Sequence, residues 1–212
     1  MFSRVVLLHL EVMNFKAIPF KAIRDEITRQ AKPELAFKNI LLAAKKKCPA
    51  LDWKQFSLEY MDTDINAAAR WIKKTLKTVP DAEGIYLGLD TLNMRGGKGS
   101  NVEIGMNTDC DPAVKSMDWA YRCDAYGKNH LIKGLYRFFA KFKGPEDDNK
   151  DLAEYIVFLS YSGLVIREAL LKVDIKNDFI SCWGFHDGDL FLLMNKVGQK
   201  TTFLANKKIP RV

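Results

Sequence analysis

GIYLGLDTLNMRGGKGSNVEIGMN, Gly84 to Asn107, carries two runs of period two on either side of a glycine-rich tip. Ile85, Leu87, Leu89 and Thr91 point one way and Tyr86, Gly88, Asp90 and Leu92 the other. After the tip, Val102, Ile104 and Met106 alternate with Glu103, Gly105 and Asn107. Such alternation is the mark of a strand with one face in a core, so a β-hairpin is expected over 84–93 and 101–107.

Helical spacing dominates on both sides of the hairpin. Upstream, Pro19 opens a helix running to Gln30, with Phe20, Ile23 and Ile27 on its inner stripe. Pro33 opens a second through Lys47, on which Leu35, Phe37, Ile40, Leu41 and Ala44 recur. A third follows a capping acid at Asp62 or Asp64, carries Ile65, Ala69, Ile72 and Leu76, and stops at Pro80. Between the last two, WKQFSLEYM (Trp53 to Met61) alternates closely enough to predict a strand. The segment Val5 to Val12 reads as a strand or a short helix.

Downstream, Trp119 and Tyr121 suggest a short strand. His130 to Phe142 predicts a helix with Leu131, Leu135, Phe138 and Phe142 inward and a basic row at Lys133, Arg137 and Lys141. A long helix from Lys150 to Val173 is apolar nearly all round, which makes it the central packed element, with Gly163 allowing a close neighbour. DFISCWGF, LFLLMNKV and TTFLAN then return to strands over 178–205, with a turn at HDGD. The expectation is a single α+β domain over residues 1–212: an antiparallel sheet with helices packed on it.

Composition limits the functions available. The 212 residues are 48% hydrophobic and 28% charged, values typical of a globular protein that needs neither disulfide nor metal to fold. Cys48, Cys110, Cys123 and Cys182 are scattered without metal-ligand spacing and are expected as reduced thiols in a cytoplasmic protein. His9 and Glu11 interrupt the N-terminal apolar run, against a signal peptide, and the run Tyr155 to Ile166 is too short to cross a bilayer. No membrane role is expected. The net charge of +7 is spread over helix surfaces, the only run being Lys45 to Lys47 at a helix end.

The chemical motifs fail on spacing. Around RGGKGS, the position a P-loop fills with its first glycine is Leu92, Gly99 stands where Ser or Thr must follow the lysine, and a strand follows instead of a helix. Asn107, Asp109, Asp111 and Asp118 fall in the register of a calcium loop, but Pro112 occupies the position that must turn as glycine. An Asx turn at Asp111-Pro112 accounts for those residues. His186 with Asp187 and Asp189 would supply a base and an orienting carboxylate, which leaves an enzyme with dispersed catalytic residues near 186–189 as one alternative. A basic nucleic-acid-binding protein using Lys133, Arg137 and Lys141 is another. No cofactor, metal or catalytic residue is assigned.

The order GIYLGLDTLN, NVEIGMNTDCDP, DWAYR and later WGFHDGDLFLL resembles the α+β domains of unknown function found among bacterial toxin-immunity proteins, over Ala36 to Phe142. The resemblance implies a small non-enzymatic cytoplasmic protein that binds and blocks a cognate toxin. The residues expected to meet such a protein partner are Arg95 and Lys98 at the hairpin tip, Asp109, Asp111 and Trp119 after it, and His186 and Asp187 in the second turn.

Overall fold

The computed structural model describes residues 18–29, 31–49, 51–90, 102–110, 117–141, 148–175, 178–185 and 190–208. Helix α1 spans Phe20–Thr28 and α2 spans Pro33–Lys47 with proline in its first turn. Ile23 and Ile27 of α1 are buried as their spacing requires. On α2 the buried stripe is Ala36, Phe37, Ile40 and Ala44, while Leu35, expected on that stripe, is 54% exposed.

The expected strand at Trp53 to Met61 is instead a 3₁₀ turn, Trp53–Gln55. The Asp52 carboxylate accepts the Lys54 amide, and the Trp53 indole donates to the Cys48 carbonyl at 2.8 Å. Trp53 and Phe56 both pack into the core, centroids 5.4 Å apart, so their spacing reflects a plugged turn and not a pleat.

Helix α3, Met61–Leu76, buries Ile65, Ala68, Ile72 and Thr75. Neither Asp62 nor Asp64 is its N-cap residue; that position is Tyr60, which makes no side-chain cap. Strands β1 (Gly84–Leu89) and β2 (Val102–Asn107) form the antiparallel hairpin, pairing Leu87 with Ile104. Its tip, 91–101, lies outside the described residues.

The short β3, Ala125–Tyr126, pairs with β2, and α4 (Lys133–Lys141) and α5 (Asp148–Leu171) follow. Trp119 and Tyr121 lie in a 3₁₀ turn, Asp118–Tyr121, in place of the expected strand. Val5 to Val12 lie outside the described residues. The chain ends in β4 (Phe179–Phe185), β5 (Leu190–Val197) and β6 (Lys200–Lys208).

The fold is α+β, and the sheet order is β3-β2-β1-β4-β5-β6. Every pairing is antiparallel except β1 with β4, which run parallel at the centre. One sheet face carries Ile85, Leu87, Leu89, Ile104, Phe179, Trp183 and Phe191 into the main core with the helices. The opposite face carries Tyr86, Ile180, Cys182, Leu190 and Leu192 into a smaller cluster covered by Cys110, Met117, Trp119 and Ala120. This alternation is the period-two pattern expressed as two cores.

α5 is the central element: Ile156, Phe158, Leu159, Leu164 and Val165 are fully covered on several of its faces. A Cβ on Gly163 would sit 2.9 Å from the Trp183 ring, so the close neighbour there is an indole and not a backbone. Among the described residues, no helix is long and apolar enough to cross a membrane.

Candidate functional site

Two of the residues singled out from sequence, Asp109 and Trp119, lie in one surface region; Arg95, Lys98, Asp111, His186 and Asp187, with Asp189, lie outside the described residues. The region is built where β2 ends. Asn107 is buried and both ends of its amide are committed: Oδ1 accepts the Asp109 amide at 2.7 Å, and Nδ2 donates to the Arg122 carbonyl at 3.1 Å. An Asx turn therefore forms at Asn107, while the one expected at Asp111-Pro112 lies outside the described residues.

Two further carboxylates pin the turn. Asp124 accepts both the amide and the hydroxyl of Thr108, at 2.9 and 3.0 Å. Glu83 accepts the Cys110 amide at 3.2 Å, tying the turn to the start of β1. Trp119 is half-buried with its ring over Gly84, where an added Cβ would come within 3.1 Å of it. The tightest contact there is Cys110 Sγ, 2.6 Å from such a Cβ, with Ile180 at 3.1 Å, so the three side chains together leave no room for one at position 84.

What the scaffold leaves outside is polar and aromatic. Tyr121 is 46% exposed and Tyr126 is 57% exposed, and Asp109, Asp118, Arg122 and Asp124 are exposed around them. From Val102 to Tyr126 the chain holds five acids, Glu103, Asp109, Asp111, Asp118 and Asp124, against two bases, Lys115 and Arg122. An acidic segment thus stands within a chain of net charge +7.

All four cysteines are free. Burial pushes the Cys110 thiol up to about 12, with Glu83 and Asp109 adding to the shift, and pushes Cys123 up to about 11. Both stay protonated at neutral pH, which disfavours the thiolate that a nucleophile requires. Among the described residues, no three His, Cys, Asp or Glu side chains converge as a metal requires.

The basic row on α4 is only partly available. Lys133 is exposed, but the Arg137 guanidinium lies over the Tyr60 ring, 4.5 Å from its centroid, and donates to the Tyr60 hydroxyl. Phe138 is half-buried and stacks one ring face on Phe56 at 4.0 Å. His130 stacks on Trp71 at 4.9 Å, its Nε2 buried without a hydrogen-bond partner, and burial lowers its pKa to about 4. It is a neutral packing residue at physiological pH.

Two charged residues that sequence reasoning did not single out as sites are internal struts. Asp64, 1% exposed, accepts the Lys133 and Gly134 amides at 3.0 and 2.8 Å and the Tyr161 hydroxyl at 3.1 Å. It caps α4 across the fold, not its own helix. Arg167, fully buried on α5, donates to the carbonyls of Glu26 and Ile27 in the last turn of α1 and of Ala31 just after it, and pairs with Glu168 at 2.6 Å. The sequence signal for each is a lone charge inside an amphipathic or apolar helix, which by itself does not say where the side chain goes.

No family model, no curated protein and no solved structure matches this chain. The fold and site define an α+β protein that presents a fixed acidic and aromatic surface beside the β3 edge of a six-stranded sheet.

Proposed function

We propose that this chain is a non-enzymatic protein-binding module of the immunity type, which neutralises a toxin domain by covering it. The observation that carries the reading is the pair Tyr121, at the end of the 3₁₀ turn, and Tyr126, on β3, both well exposed on a segment tied to the end of β2 by side-chain hydrogen bonds of Asn107 and Asp124. Tyrosines supply large contact area and a hydroxyl at small entropic cost, and they are enriched among residues that dominate binding energy. Preorganisation by the Asx turn lowers the ordering cost of association. The exposed carboxylates at Asp109, Asp118 and Asp124 set the rim. Free cysteines, three of the four buried, fit a reducing cytoplasm.

The test is affinity capture from the native host, followed by calorimetric titration of the recovered partner against wild type and Tyr121→Ala/Tyr126→Ala. A loss of at least about tenfold in affinity, with unchanged unfolding, is expected from removing two central tyrosines. Capture of no protein by folded bait, or equal affinity for the double variant, overturns the reading.

A further inference from the structure

We propose that the exposed face of α3 from Arg70 to Lys77 binds the sugar-phosphate backbone of duplex nucleic acid. Arg70, Lys73, Lys74 and Lys77 are all exposed and recur three and four residues apart, which places them along one side of the helix. At a rise of about 1.5 Å per residue the stripe is about 10 Å long, the axial span of about three base pairs. The opposite side of α3 is anchored in the core by Ile65, Ala68 and Ile72, so the cations stand on a rigid support.

Neighbouring elements extend the stripe. The Trp71 indole donates to the Lys128 carbonyl at 2.6 Å, bringing exposed Lys128 alongside, and Lys172 donates to Asn66 at 2.8 Å on the turn before Arg70. Acids are excluded from the same stretch. The two carboxylates of α3, Asp62 and Asp64, both lie in its first turn, and Asp64 is consumed by α4 and Tyr161. No acid occurs from Ile65 to Pro80. Among the described residues, the ion pairs lie on α1 and α5, and none involves the α3 cations.

The ligand class follows from what flanks the cations. Trp71, the one aromatic on α3, has its N–H committed to Lys128 and one ring face covered by His130, so no base-stacking platform stands on the stripe. Single strands are usually held by such platforms, whereas duplex backbone needs only fixed cations. Among the described residues, the exposed large hydrophobics are Leu35, Leu42, Tyr121, Tyr126, Leu171 and Val197, none of them on α3. An interfacial membrane helix would need apolar side chains beside its cations. Recognition is therefore electrostatic and indifferent to sequence.

The experiment is fluorescence anisotropy of labelled duplexes of about 20 base pairs, DNA and RNA, at about 50 and about 200 mM salt, where phosphate-directed binding differs most. Arg70→Gln/Lys73→Gln/Lys77→Gln is compared with the charge-matched Lys45→Gln/Lys46→Gln/Lys47→Gln, after unfolding curves confirm that both are folded. The α3 variant is expected to lose at least tenfold in affinity and to reduce the salt slope by about 2–3, while the α2 variant loses less than about threefold. Equal loss in both variants shows net charge acting without a site and overturns the proposal. So does failure of wild type to bind duplex at the lower salt, or binding confined to phosphatidylserine vesicles or to an acidic protein. The partner captured through Tyr121 and Tyr126 is assayed separately, and its affinity is expected to be unchanged by the α3 substitutions.

Discussion

The carboxylate of Asp64 and the backbone amide of Gly134, 70 positions apart, meet at 2.8 Å inside the protein. Through this bond and its companion at Lys133, the first turn of α3 supplies the N-terminal cap of α4. The Tyr161 hydroxyl on α5 completes the set, so one side chain locks three helices.

Asp64→Ala is expected to destabilise the fold by about 3 kcal/mol, because two amides and a hydroxyl lose their acceptor in the interior. Asp64→Asn is expected to be milder. Burial raises the Asp64 pKa despite three donors, so the folded state favours the neutral acid and the ionised form is held at a disadvantage. Stability attributable to this group is fully present below the unfolded value near 3.8 and declines as pH rises through the folded value. Denaturant unfolding of both variants against pH checks the order and the direction.

His130 gives the opposite slope. Its folded pKa of about 4 lies below the ordinary imidazole value of 6.5, so the unfolded chain binds the extra proton between those values. Melting temperature is expected to fall as pH drops through that window and to show no further contribution from this group below it. His130→Phe, which keeps a ring against Trp71, is expected to flatten this segment of the profile.

Arg167→Ala is expected to cost about 3–5 kcal/mol, the range for breaking a buried charged network. The carbonyls of Glu26, Ile27 and Ala31 would lose their shared donor. Arg167→Lys retains charge but not the fork that reaches three acceptors, and is expected to recover less than half of the loss in urea titrations.

Gly163→Ala tests packing against propensity. Alanine gains about 1 kcal/mol in a helix interior, while overpacking costs about 1–3 kcal/mol. Trp183 is fully buried, with its N–H bound to the Leu159 carbonyl at 3.2 Å, so it has no room to yield. Net destabilisation of about 1–2 kcal/mol is expected, checked by chemical unfolding.

Periodicity made most of the fold legible. Local pattern reports which face of an element is apolar, and that sufficed for α1, α3, α5 and the hairpin. It misled at Trp53 to Met61, where Asp52 winds the chain into a turn and the aromatics fill a gap between helices. Leu35 shows the same limit in reverse, an apolar residue at helical spacing left outside. Within the surface region, Trp119 and Asp109 were legible as residue types. Tyr121 and Tyr126 were not, because exposure depends on what other segments cover, and the Asx turn at Asn107 depends on Arg122 arriving from fifteen residues away. Asp64 and Arg167 are the extreme case: their partners are set by tertiary contact alone.

The parallel pairing of β1 with β4 makes the sheet a join between two halves. β1, β2 and β3 lie together in the chain, as do β4, β5 and β6, and only the central pairing crosses from one block to the other. Leu89 and Phe185 face each other there across about 95 residues of intervening chain, so α4 and α5 must be gathered before that pair closes. The two blocks can each form from short-range contacts, whereas their union carries most of the loop-closure entropy and sets the folding rate. The seam is then the natural division for a split version of this protein, with the break placed between Lys141 and Asp148, one fragment carrying the hairpin and the other the three C-terminal strands.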